Sequence, residues 1–128
     1  MAKQAVGGSR PAGAYSPGVV AEGRFVYVSG QGPVRDGVVT GDTIQEQTRV
    51  VLGNIAAVLA SAGASLADVV RCGVFLADMA DFRGMNDVYR EIFPDPLPAR
   101  TTVGATLPGI LVEIDCVAVL PATVGDRP

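Results

Sequence analysis

The sequence contains no histidine and no tryptophan, only two cysteines, and charged residues fill just 18% of its 128 positions. Without histidine there is no Ser-His or Cys-His nucleophile pair, so acid–base work falls to carboxylates and guanidinium groups. Cys72 and Cys116 lie in separate apolar runs with no close cysteine neighbour, which is not the spacing of a metal site. They read as reduced, buried thiols behaving as small hydrophobes. No run of Lys or Arg occurs and the formal net charge is −3, which argues against nucleic-acid binding through a basic patch. No apolar stretch is long enough to cross a bilayer, and Met1 to Gly8 carry no continuous apolar core of the signal-peptide kind. The expected location is therefore the cytoplasm. The low charge also suggests that part of the surface is buried against another subunit.

What is present is a legible periodicity. Length predicts one domain over residues 1–128, with residues 1–14 irregular or edge-forming and 121–128 a loose tail. Arg24 to Gly30 is rich in β-formers and predicts a strand, with Val19-Val20-Ala21 as its hairpin partner. Thr43-Ile44-Gln45-Glu46 has the spacing of a capping box. The helix it opens carries Gln47, Val51, Ile55, Val58, Leu59 and Ala62 on one stripe and stops at Gly63. Asp68 to Leu76 predicts a strand with Val70, Cys72, Val74 and Leu76 on one face and Val69, Arg71, Gly73 and Phe75 on the other. Asp81 is placed to cap a second helix with Phe82, Met85, Val88, Tyr89 and Ile92 inward. Two strands follow, one around Arg100 and one from about Ile110 to Leu120. The order ββαβαββ predicts an α+β fold, one sheet with two helices on one face.

In the last strand Val112, Ile114, Cys116, Ala118 and Leu120 form an unbroken apolar face, which belongs under the helices. Two helices cannot cover both faces. The second face, with Phe25, Tyr27 and Phe75, is then an apolar patch, and such a patch marks association. A closed homo-oligomer with that face turned inward is expected.

Arg100 and Glu113 are the candidate chemical groups. Arg100 follows a proline-rich turn on a strand-like stretch, where a guanidinium offers a rigid fork for a carboxylate. Glu113, on the next strand, can steer a water. Asp115 shares its face and reads as an interface ion-pair partner. Ser29 has no histidine base, which removes it as a nucleophile. Gly30-Gln31-Gly32 lacks the lysine and spacing of a phosphate loop.

Several segments together resemble one family: Gly13-Ala14-Tyr15-Ser16-Pro17, Val28-Ser29-Gly30-Gln31-Gly32-Pro33, Gln47-Thr48 with Asn54, Gly63 to Val70, Asp81-Phe82 through Asn86 and Tyr89, Pro98-Ala99-Arg100, and Leu107-Pro108 followed by Val112-Glu113-Ile114. Their order and spacing resemble the RidA/YjgF family of enamine/imine deaminases over roughly residues 11–120. The resemblance implies a chorismate-mutase-like ββαβαββ fold and a homotrimer with sites in clefts between subunits. It implies hydrolysis of reactive 2-imino acids, formed from 2-enamino tautomers, to 2-keto acids and ammonia, with no metal and no organic cofactor. Arg100 would clamp the carboxylate of a small-molecule substrate and Glu113 would orient or deprotonate the attacking water. Tyr15, Ser29, Gly30, Gln31, Phe82, Asn86 and Thr102 would line or order the cleft.

This chain departs from the family pattern in two places. Thr102 stands where many members carry a cysteine, and Ala14 where a proline is common, which is expected to loosen the N-terminal loop. Two alternatives stay open: a non-catalytic small-carboxylate-binding regulatory protein, and a related aminoacrylate or aminomuconate deaminase. A ribonuclease, an activity attached to some relatives, is disfavoured by the acidic balance and the missing histidine.

Overall fold

The computed structural model describes residues 2–122, so most of the expected tail, residues 123–128, lies outside the described residues. The elements run β1 (Lys3–Val6), β2 (Gly18–Ala21), β3 (Phe25–Gln31), β4 (Val34–Arg35), β5 (Val38–Val39), α1 (Ile44–Ser61), β6 (Val69–Leu76), α2 (Phe82–Ile92), β7 (Ala99–Gly104) and β8 (Val112–Val119). Four strands make one mixed sheet in the order β3-β8-β6-β7. Its pairs are antiparallel except β6 with β7, which run parallel because α2 carries the chain across between them.

The helices begin as the sequence dictates, with one difference. Thr43 Oγ1 accepts from the Glu46 amide at 3.1 Å and Glu46 Oε1 accepts from the Thr43 amide at 3.1 Å, closing the capping box of α1. Gly63, at φ +83°, follows the end of the helix in a conformation that a Cβ would oppose. Asp81 makes no side-chain cap bond to α2. Asp78 takes that part instead: its Oδ1 accepts from Ala80 N–H at 2.9 Å and opens a 3-10 turn over Met79–Asp81 that feeds the helix.

The core lies between the helices and one face of the sheet. Leu52, Ile55 and Leu59 of α1, Met85 and Tyr89 of α2, Cys72, Val74 and Leu76 of β6, and Val112, Ile114, Cys116 and Ala118 of β8 are buried in one cluster. Each large apolar side chain removed from water here contributes about 1.5–3 kcal/mol. The helical stripe is rotated from the expected one: Val58 is 38% exposed and Ala62 is exposed, while Ile44, Thr48 and Leu52 face inward.

Two strand expectations are corrected. Val19-Val20-Ala21 pairs with β1, not with β3; Lys3 lies opposite Ala21 and Val6 opposite Gly18. Residues 3–6 thus supply the partner, and Gly23 at φ +133° turns the chain away from a β2–β3 hairpin. Val69 is fully buried with Cys72 and Val74 rather than facing away. A register shift between Val69 and Arg71 inserts an extra residue, and one extra residue reverses the alternation. The other face of the sheet keeps Phe25 at 40%, Tyr27 at 77% and Val103 at 43% exposure, the apolar patch expected from the sequence.

Candidate functional site

Arg100 is the second residue of β7, the edge strand. It lies beside Cys72 of β6, which in turn lies opposite Cys116 of β8, so its side chain belongs to the helix-covered face. The residue is only 8% exposed. Three rings surround the guanidinium carbon: Tyr89 with its centroid at 4.8 Å, Tyr15 at 5.1 Å and Phe82 at 5.5 Å. Such contacts favour a cation, and more so when water is excluded. Nη2 donates to Asn86 Oδ1 at 2.9 Å and Nη1 to the Ala14 carbonyl at 3.4 Å, while Nε, although buried, has no partner. Among the described residues the ion pair formed is Arg49 with Glu91, at 2.5 Å on the surface; Arg100 has no carboxylate partner. Burial pulls its pKa below the ordinary arginine value, opposed by Tyr89, Cys72 and Tyr15. A guanidinium stays charged under these conditions. The result is a caged, dehydrated cation without a counter-ion.

Glu113 is built differently. It lies opposite Phe75, on the face away from the helices. Val28 pairs with Cys116 but Gln31 pairs with Ile114, so β3 carries one residue more than β8 across this interval. This bulge brings Gly30 against Glu113. A Cβ on Gly30 would stand 2.6 Å from Glu113 Oε2, so only glycine leaves the carboxylate its place. Gln31 Nε2 donates to the Ser29 carbonyl at 3.2 Å. Two side chains of α1 hold the flanks. Asn54 Nδ2 donates to the Gly32 and Val34 carbonyls at 3.1 and 2.9 Å, and Gln47 Oε1 accepts from Leu111 N–H at 2.8 Å. Asp115 accepts from Gly73 N–H at 3.0 Å and braces the strand.

The residues singled out from the sequence thus fall into two groups within one chain. Tyr15, Phe82, Asn86 and Arg100 meet at the edge of the sheet. Thr102 follows two places along the same face, its hydroxyl buried without a partner. Gly30 lies against Glu113 on the opposite face, while Ser29 and Gln31 flank it on the bulged strand, Gln31 opposite Ile114. Sequence reasoning missed Tyr89 as part of the cage, reading it as core; a tyrosine in place of leucine on a buried stripe is the signal that was there. It also missed the backbone of Gly13 and Ala14 lying on the fork. The Ala14 amide donates to Asn86 Oδ1 at 2.9 Å, a bond proline cannot make. The N-terminal loop is therefore pinned here rather than loosened. An open cleft lined by Lys3, Asp68, Asp95, Pro96 and Val119 contains none of these residues.

Two helices over one face of a mixed sheet, with this element order, define the α+β class of the YjgF fold. A YjgF-family protein from Neisseria meningitidis superposes with a TM-score of 0.72 at 34% identity, covering 94% of this chain and 97% of that one. Escherichia coli TdcF, solved with bound serine, gives a TM-score of 0.72 at 35% identity over 91% and 94% of the two chains. Protein mmf2, mitochondrial, of Schizosaccharomyces pombe is 47% identical over 104 residues, 77% of this chain and 82% of that protein. The family model described as Endoribonuclease L-PSP matches residues 7–120. The chain belongs to this family, the RidA/YjgF family. Among the described residues no helix is long and apolar enough to cross a membrane.

Proposed function

We propose that this protein is an enamine/imine deaminase that hydrolyses reactive 2-imino acids to 2-keto acids and ammonia. The observation that carries the reading is the caged Arg100 cation without a carboxylate partner. A substrate carboxylate is the counter-ion it lacks, taken up through two parallel charge-assisted hydrogen bonds. Relatives support a small acid as ligand, since TdcF was solved with serine bound. The carbon of a protonated imine is already electrophilic. Water adds to it with loss of a proton to Glu113. Glu113 returns that proton to the amine nitrogen, and the tetrahedral carbinolamine expels ammonia as its hydroxyl gives up a proton and the C=O bond forms. The protein's part is to hold the acid end, aim the water and exclude other nucleophiles. No cofactor enters this scheme.

Because Arg100 and Glu113 occupy opposite faces within one chain, we place the working site between subunits of a homotrimer. The exposed Phe25, Tyr27 and Val103 on the second face support such an assembly. The test is direct. A pyridoxal-phosphate dehydratase generates the imine in situ, and the purified protein is expected to speed release of keto acid and ammonia; no acceleration over buffer with several imino acids removes the reading. Size-exclusion chromatography with light scattering is expected to give a trimer.

The same fork suits a non-catalytic carboxylate sensor, a reading favoured by the backbone lying over Arg100. Calorimetric binding of 2-ketobutyrate without turnover of any imino acid would decide for it.

A further inference from the structure

The guanidinium best suited to grip a ligand is covered by the chain itself. Residues 11–15 lie across it, with Ala14 N–H and Arg100 Nη2 both donating to Asn86 Oδ1 at 2.9 Å and the Ala14 carbonyl accepting from Nη1. The approach is close enough that a Cβ on Gly13 would stand 2.8 Å from both Nη2 and Asn86 Oδ1. Yet the cover bonds weakly to the cation. The Ala14 carbonyl contact is 3.4 Å, long for a charge-assisted bond, and Nε is left without an acceptor.

The segment is also closed on itself. The Ala12 amide donates to the Tyr15 hydroxyl at 3.1 Å and the Tyr15 amide to the Gly13 carbonyl at 3.0 Å. Within the segment the fully buried Ala14 is held through its amide by Asn86, and a second anchor follows it, where the Ser16 amide and hydroxyl donate to the Pro98 and Leu97 carbonyls at 3.0 and 2.5 Å.

We propose that residues 11–15 form a latch: the Ala14 carbonyl stands where a carboxylate oxygen of the ligand will sit on Arg100, and ligand binding lifts the segment about Ser16. The inference rests on reading Arg100 as a carboxylate-binding group. A carboxylate offers the cation two short charged bonds in place of one long neutral one, and this difference shifts the closed state toward the open one. Asn86 is the catch, since one oxygen holds both the latch and the fork. Affinity for small acids is then set by the latch as well as by the fork, because ligand competes with the chain's own backbone.

Two measurements test this. In Gly13→Ala the added Cβ meets Arg100 Nη2 and Asn86 Oδ1 at 2.8 Å, so the fork or the segment must shift. The variant's Arg100, followed by peptide mass spectrometry, is expected to react with phenylglyoxal about tenfold faster than in wild type, the worth of one hydrogen bond to a charged group. Equal or slower modification overturns the latch. In the wild type, saturating 2-ketobutyrate is expected to speed hydrogen exchange at the Ala14 amide and leave Ser16 unchanged. Slowed or unchanged exchange at Ala14, with binding shown by calorimetry, also overturns it. If 2-ketobutyrate binds neither protein while Gly13→Ala still unmasks Arg100, the carboxylate reading fails and the latch stands as a cover.

Discussion

Arg100 and Glu113 stand on opposite faces of the same sheet. Arg100 shares the helix-covered face with Cys72 and Cys116, whereas Glu113 lies opposite Phe75 on the bare face. A strand alternates its side chains, so no rotamer change brings the two together within one chain. Their cooperation, if they act on one substrate, must join two copies.

Complementation checks this. Arg100→Ala and Glu113→Gln subunits, each inactive alone, are expected to recover activity when unfolded together and reassembled. With random mixing, about a quarter of intersubunit sites keep both groups. No recovery, with mixed trimers demonstrated by mass spectrometry, removes one of the two groups from the reaction.

At Arg100 itself, activity and stability are expected to part. Arg100→Ala removes a buried cation that no carboxylate neutralises, so the melting temperature should stay level or rise. Imine hydrolysis should fall about a hundredfold or more, the loss of two charge-assisted bonds. Arg100→Lys should recover little of it, since an ammonium lacks the fork. A large stability loss in Arg100→Ala with activity kept would make the residue structural.

Gly30→Ala reports on the carboxylate. The added methyl would sit 2.6 Å from Glu113 Oε2 and must push it aside. Turnover is expected to drop about tenfold or more with KM changed less, because a water-steering group acts on the chemical step. Steady-state kinetics on the variant make the comparison; a KM change alone would place Glu113 in binding.

The two buried thiols set an alkaline limit. Burial raises Cys72 to about 11 from an ordinary 9.0, opposed by Tyr89 and Arg100, and raises Cys116 to about 12, with Cys72 and Asp115 adding to the rise. The folded protein therefore holds protons that the unfolded chain gives up above pH 9. The stability these thiols contribute is complete below that pH and is lost as pH rises toward 11–12, by up to about 1.4 kcal/mol per pH unit for each thiol. Urea midpoints at pH 8 and 10.5 measure the loss. Both thiols should resist iodoacetamide at pH 8 until the protein unfolds; ready labelling of the native state would contradict their burial.

Much of this protein was settled by local rules that a sequence displays. The Thr43–Glu46 capping box forms from neighbours three apart, the stop at Gly63 from one residue's freedom, and the buried face of β8 from strict alternation. The choice of Arg100 and Glu113 also came from the chain alone. Other features depended on partners distant in sequence. The pairing of β2 with β1 was decided by a competing strand, and the burial of Val69 by a bulge that leaves no mark in composition. The cage around Arg100 joins Tyr15 of the N-terminal loop to Phe82 and Tyr89 of α2, and the cover comes from the backbone of Gly13 and Ala14, far from Arg100 in sequence. Which residues carry charge is written residue by residue. What faces a charge depends on how strands register and loops close, and only the folded chain decides that.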